Sequence, residues 1–204
     1  MTFLSEESVN KIREKFSDYK VMFPMIPLNG EHLEHRLYDA FIDSNYSVEW
    51  NPKSHCIGAD FVCPDFEDKN WSIKSGRFTN ITTNLLVKIT SFRTTSHRTI
   101  EEKKEFLKQQ HEDIILSVTY DDRKKITKPF RELGIERYYV FLFKPPIFGD
   151  EEWIETFSHK HHTSTGWKTV LSDGTQATIS KQCSDQLSFH IPACLAKECY
   201  EIIV

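Results

Sequence analysis

Two runs of sequence, Asp113-Ile-Ile-Leu-Ser-Val-Thr-Tyr120 and Arg137-Tyr-Tyr-Val-Phe-Leu-Phe143, limit the possible folds most. Both are dense in β-branched and aromatic residues with little polar alternation, so they read as strands buried on both faces. Strands of that kind need cover, and two amphipathic helices supply it. Glu6–Tyr19 carries Val9, Ile12 and Phe16 at helical spacing, and a second helix runs from Gly30 to about Ser44 with Leu33, Leu37, Ala40 and Phe41 as its stripe. A proline-broken loop, Phe23–Gly30, separates them. The expected fold is therefore α/β, a mixed central β-sheet flanked by helices. A length of 204 residues suits a single domain spanning 1–204.

Shorter signals fill in the rest. Tyr46–Trp50 and Cys56–Cys63 read as strands, Pro64–Asn70 as a turn, and Trp71–Gly76 as a returning strand. The Asn-, Thr- and Ser-rich run to Arg98 reads as loop around an apolar island, Leu85–Ile89. Thr99 with Glu102 forms a capping box that opens a helix ending near Gln110. Lys128–Leu133 reads as a short helix stopped by Gly134. The region 150–204 reads as irregular structure with one hairpin, Thr169–Leu171 and Gln176–Lys181 about the turn Ser172-Asp-Gly174. No apolar stretch is long enough for a membrane helix, and the first twenty residues lack the apolar core of a secretory leader. Five cysteines at irregular spacing suit reduced thiols, so a cytoplasmic location is expected.

The net charge is −4, which by itself does not favour a polyanion ligand. Its distribution does. Trp71 to Ile100 contains no Asp or Glu, yet holds Lys74, Arg77, Lys88, Arg93 and Arg98, while acids gather at 101–122 and 150–155. Such a strip suits an anionic partner.

The chemistry-bearing stretch is His55-Cys-Ile-Gly-Ala-Asp60 through Trp71-Ser-Ile-Lys74-Ser-Gly76. An Asp in one apolar strand and a Lys in the next, joined by a hairpin, bring their side chains to one side of the sheet when they face each other. A turn centred on Phe66 or Glu67 puts Asp60 opposite Ser72 or Lys74, and Ser72 and Lys74 already share a face. A carboxylate can hold Mg2+, and an ammonium beside it can orient a water and offset phosphate charge. The plain alternative is a structural ion pair. Against it stands the apolar company of Ile57, Ala59, Phe61, Val62, Trp71 and Ile73, where charges are seldom kept without a partner or a task.

Asp60…Ser72-Ile-Lys74 resembles the D-x(n)-[E/D]-x-K core of the PD-(D/E)XK nucleases. Gly58-Ala-Asp60 and Lys74-Ser-Gly76 resemble type II restriction endonucleases, and Gly30-x-x-x-Glu34 resembles the first-helix Glu of that family. The likeness covers roughly residues 29–120, with an echo at Ser184-Asp-Gln-Leu187. It implies a restriction-endonuclease-like fold and a homodimer. It also implies a Mg2+-dependent activity (Mn2+ substituting) that hydrolyses double-stranded DNA at a short specific sequence and leaves a 5′-phosphate. Asp60, Lys74, Ser72 and Glu34 are the catalytic candidates, and Asp60, Glu34 and the Ile73 carbonyl the metal ligands. Ser72 departs from the family's usual second acid. Glu31 is the alternative to Glu34 if the helix is rotated. The literal Pro64-Asp65 lies too near the hairpin tip to face Lys74. A repair or mismatch nicking nuclease of the same fold and a non-enzymatic DNA-binding module are the rival functions.

Two further groups suit DNA. Arg77, Lys88, Arg93, Thr94, Thr95, His97 and Arg98 belong to the acid-free strip, and Lys181, Gln182, Ser184, Asp185 and Gln186 lie in the C-terminal region expected to contact DNA. Arg and Lys bind phosphate or guanine, Gln and Asp read base edges, and Ser and Thr donate to phosphate. His159, His161 and His162 lack the spacing of a known metal site and read as surface.

Overall fold

A computed structural model of the protein describes residues 3–204 except 25, 27, 52–58, 82–83, 110–111, 121–136 and 161, and only the backbone of 80, 81, 84 and 120. The secondary structure is mixed α/β, with three helices and eleven strands among the described residues. One described strand pairing is parallel and the others are antiparallel. The chain divides into two compact units, Met1–Phe78 with His111–Lys144 and Ala196–Val204, and Thr79–Gln110 with Pro145–Leu195.

In the first unit, α1 (Glu6–Met22) starts where the Ser5 hydroxyl accepts from the Ser8 amide at 3.1 Å and Glu6 and Glu7 sit at the positive end of the helix. α2 (Gly30–Asp43) follows. The strands are β1 (Glu49–Trp50), β2 (Phe61–Val62), β3 (Asn70–Ile81, of which residues to Phe78 belong here), β5 (Ile114–Tyr120), β6 (Arg137–Phe143) and β11 (Glu198–Ile203). They lie in the order β11-β6-β5-β3-β2-β1, with β3 parallel to β5. Trp71, Ile73, Ile114, Leu116, Val118, Val140 and Leu142 alternate onto one face and pack with Ile12 and Phe16 of α1 and Leu33, Leu37 and Phe41 of α2. Ser72 and Lys74, and Ser117 and Thr119, alternate onto the other face. Asp113 fixes the start of β3 by accepting from the Lys69 and Asn70 amides at 3.0 and 2.9 Å.

The second unit holds β4 (Asn84–Arg93), α3 (Ile100–Leu107), β7 (Ile154–Phe157), β8 (Ser164–Val170), β9 (Gln176–Ser180) and β10 (Gln186–Pro192), in the sheet order β4-β10-β9-β8-β7. Val87, Ile89, Ala177, Ile179, Leu187, Phe189 and Ile191 are its buried positions. Gly166 adopts φ +141, and a Cβ there would lie 1.9 Å from the Ile179 carbonyl oxygen, so close approach of β8 to β9 requires glycine.

The two sequence helices, the buried strands, the capping box at Thr99 and the hairpin about Ser172–Gly174 agree with the structure. Several expectations need correction. The run to Arg98 is strand for most of its length, since β3 continues to Ile81 and β4 takes Asn84–Arg93. Val87 and Ile89 alternate with Lys88 and Thr90 there, and β-branched Thr suits a half-buried sheet. The last fifty residues hold five strands rather than irregular structure around one hairpin. The strand expected at Tyr46–Trp50 is only Glu49–Trp50, and α3 stops at Leu107 instead of Gln110. Of the strand expected at Cys56–Cys63, residues 59–63 are described and only Phe61–Val62 are strand, and Lys128–Leu133 lies outside the described residues.

Candidate active site

Although β2 has two residues, it sets the hairpin register. Phe61 faces Trp71 and Val62 faces Asn70, which puts Asp60 opposite Ser72, one of the two registers open from sequence. The Asp60 amide donates to the Trp71 carbonyl at 2.9 Å and so extends the pairing by one residue. Asp60 is 5 % exposed. Its Oδ2 accepts from the Ile73 amide at 2.6 Å, the Lys74 ammonium at 2.8 Å and the Ser72 hydroxyl at 3.2 Å. Backbone amide and carbonyl of a strand residue face the same neighbour, so the Ile73 carbonyl points to the side of β3 where Asp60 lies. In β5, Ser117 stands beside Lys74, fully buried and sharing a hydrogen bond of 3.2 Å with Thr119.

Glu34 joins from the buried stripe of α2, next to Leu33 and one turn before Leu37, whereas Glu31 is exposed. Trp50 donates from Nε1 to Glu34 Oε2 at 3.3 Å, and is itself held between His35 and Tyr38. Burial first, and the Asp60 carboxylate second, hold the Glu34 carboxyl above its ordinary range, while the Trp50 hydrogen bond and the Lys74 charge pull it back. Asp60, Lys74 and Glu34 therefore act on one another electrostatically. Glu34 and Asp60 carboxylates, the Ile73 carbonyl and the Ser72 hydroxyl form an all-oxygen donor set, the kind that suits a hard divalent cation. A cation would also offset the like charges that now oppose ionisation of Glu34. The site has two carboxylates, and among the described residues no group of three or more His, Cys, Asp or Glu side chains could hold a metal.

Asp65 is exposed in the turn, where it accepts from the Ser47 amide at 2.6 Å. Cys63 is buried beside it, and burial pushes its thiol up to about 12, so it is a packing residue, not a nucleophile.

Among the DNA candidates, only Arg77 belongs to the first unit, where it is exposed. The others meet in the second unit although they come from distant parts of the chain. Arg93 faces Gln186 across β4 and β10, and Gln186 donates to the Ser91 carbonyl at 3.2 Å. Thr94 is fully buried, with its amide and hydroxyl both donating to the Asp185 carbonyl. Asp185 in turn pairs with Lys103 at 3.0 Å, so both serve internal structure. His97 stacks on Phe106, and the Arg98 amide donates to Glu102. Thr95, Gln182 and Ser184 are exposed. Lys181 lies over the Trp167 ring at 4.3 Å and donates to Ser164 at 2.6 Å. His159 and His162 are exposed around a tight turn between β7 and β8; His161 lies outside the described residues.

Sequence reasoning missed Trp50, the partner of Glu34, and Lys103. The Lys103 ammonium is fully buried and donates to the Thr94 and His97 carbonyls, the Thr94 hydroxyl and Asp185. A Lys at the fourth position of a capped helix gives no sign in sequence that a loop will fold over it. No protein-family model, curated protein or solved structure matches the chain.

Proposed function

We propose that this chain is a Mg2+-dependent endonuclease of the PD-(D/E)XK type, with a restriction-endonuclease-like fold. In this reading it acts as a homodimer and hydrolyses double-stranded DNA at a short specific sequence. The observation that carries this reading is the convergence on one Asp60 oxygen of Ser72, Ile73 and Lys74, with the Glu34 carboxyl raised by burial and then by the same Asp60. A purely structural pair needs Asp60 and Lys74 but gives no reason for a second buried carboxyl that feels the charge of the first.

Asp60, Glu34 and the Ile73 carbonyl would hold the cation. When bound, Mg2+ polarises a phosphate and lowers the pKa of a coordinated water. Lys74, released from Asp60, holds its ammonium against the growing phosphate charge and orients the attacking water. Glu34 would hold the cation as a carboxylate, the form that burial and the neighbouring Asp60 disfavour in the metal-free site. Ser72 keeps the Asp60 carboxylate in place. A homodimer would bring two such sites to a palindromic sequence.

Incubation of plasmid DNA with the protein tests this. Linear product is expected with Mg2+ or Mn2+, and duplex binding without cutting with Ca2+. Cleavage that survives EDTA would remove the metal mechanism. Absence of cleavage with every metal would remove the endonuclease reading.

A further inference from the structure

The sheet of the second unit has two unlike faces. One is apolar and buried; the other carries mostly polar strand positions and no Asp or Glu, with Leu86, Pro192 and Val170 at its margins. On β4 it carries Lys88, Thr90 and, beyond the register shift between Gln186 and Ser188, Arg93. On β10 it carries Gln186, Ser188 and His190. Gln176, Thr178 and Ser180 follow on β9, and Lys168 on β8. Thr90, Arg93 and Lys168 are exposed and most of the rest half-buried. α3 lies against the other face, where Lys103 approaches Trp167 and Phe148 packs on Phe189.

Three lysines off this face are held by carboxylates, whereas Lys104 and Lys160 are not among the described residues. Lys103, Lys108 and Lys181 each have a carboxylate partner. Lys88, Arg93 and Lys168 have none among the described residues. Their positions are also set by the pairing. Lys88 faces His190 on β10, whose β9 neighbour is Gln176. Lys168 is on the fourth strand, facing Thr178. Three strand spacings make about 14 Å, close to the roughly 12 Å width of a B-DNA major groove. Cationic side chains thus stand on two flanks of a strip of amides and hydroxyls. His190, in the middle, has a buried Nδ1 with no hydrogen-bond partner.

We propose that this face of the β4-β10-β9-β8 sheet holds duplex DNA. Lys88 and Arg93 contact the phosphates of one strand and Lys168 those of the other, while Gln176, Gln186, Ser188 and His190 face the groove between. The occupant is a polyanion because unpaired positive charge and an absence of acid complement it. The choice of duplex DNA rests on the endonuclease reading. Gln176, Thr178, Ser188, His190 and Lys168 are not among the residues singled out from sequence, although all lie in the C-terminal region expected to contact DNA.

The test is fluorescence anisotropy of a labelled mixed-sequence duplex over a salt series in Ca2+, with full-length protein. It compares wild type, the triple variant Lys88→Ala/Arg93→Ala/Lys168→Ala, and Lys11→Ala/Arg13→Ala/Lys108→Ala, which removes the same number and kind of cations elsewhere, as a control; circular dichroism checks that each is folded. Each lost phosphate contact should lower the slope of log K against log salt by about 0.9. The triple variant should therefore lose nearly three units of slope, and the control should lose little. Wild-type slope in the triple variant, or the same loss in the control, overturns the face. Equal affinity of wild type for single-stranded DNA of the same length overturns duplex as its occupant. Cleavage with Mg2+ is read separately. A triple variant that cuts as wild type does overturns the face and leaves the endonuclease standing. Face-dependent binding without any cleavage by wild type does the reverse. No binding by wild type at all overturns the proposal outright.

Discussion

Asp60 is the residue on which the most depends, because three donors and one neighbouring carboxyl are organised around it. Asp60→Asn keeps an acceptor for the Ile73 amide but removes the charge, so it should fold and fail to cleave. Lys74→Ala should fail likewise. Ser72→Ala removes one neutral donor of three, a loss of about 1 kcal/mol, so cleavage should fall by no more than roughly tenfold. Asp65→Ala should leave the rate unchanged, since its carboxylate serves only the Ser47 amide. Single-turnover rates for the four variants check that order; a dead Asp65→Ala beside an active Asp60→Asn would contradict it. Glu34 gives a pH signature. Its folded-state carboxyl lies above the ordinary Glu range, so the native state binds the proton more tightly than the unfolded chain. Stability is unaffected below the ordinary Glu range and falls as pH rises from there through the raised value. Metal-free Glu34→Gln should lose that fall and melt at a higher temperature than wild type at neutral pH, while its Mg2+ affinity drops. Melting curves and Mg2+ titrations at several pH values measure both.

The elements show which parts of the fold sequence can express. The Asp60–Ser72–Lys74 cluster was legible because strand side chains alternate and hairpin partners share a face, so parity alone brings them together. That Asp60 faces Ser72 and not Lys74 depends on a turn fixed by long-range contacts. Asp113, Lys144 and Lys197 from distant segments hold Asp68, Lys69 and Asn70 in place. Glu34 could be placed on the buried stripe of α2, but its nearness to Asp60 requires Trp50, and β1 is only two residues long. β10 carried a readable signal, since Gln186–Pro192 alternates polar and apolar throughout. The Thr- and Asn-rich β3 extension and β4 did not, because their composition fits loop and the pairing with β10 decides otherwise. Lys103 was the least legible. Its fully buried ammonium ties α3 to the loop after β4 and to Asp185, which adopts φ +51. Lys103→Met removes one partner of a buried pair, and the expected loss is about 3 kcal/mol. Urea unfolding measures it, and a change below 0.5 kcal/mol, the range of ordinary surface substitutions (roughly ±0.5), would show that Lys103 does not organise that loop.

For the whole molecule, two compact units divide the features read from sequence. The first contains the acid–lysine cluster, and the second contains nearly every residue expected to meet DNA. No described helix is long and apolar enough to cross a membrane. Among the described residues, Cys63, Cys183, Cys194 and Cys199 are free thiols. In the proposed reading, chemistry and DNA contact fall to different parts of the chain, and a reaction on DNA requires both. The most direct measurement is digestion of mixed-sequence duplex DNA with Mg2+ by wild type, Asp60→Asn and Lys74→Ala, followed by sequencing of the ends. The expected result is a set of ends at one short sequence from wild type alone, absent with EDTA and from both variants. Ends produced equally by Asp60→Asn, or no ends from wild type under any divalent metal, would contradict the assignment of Asp60 and Lys74 to a nuclease centre.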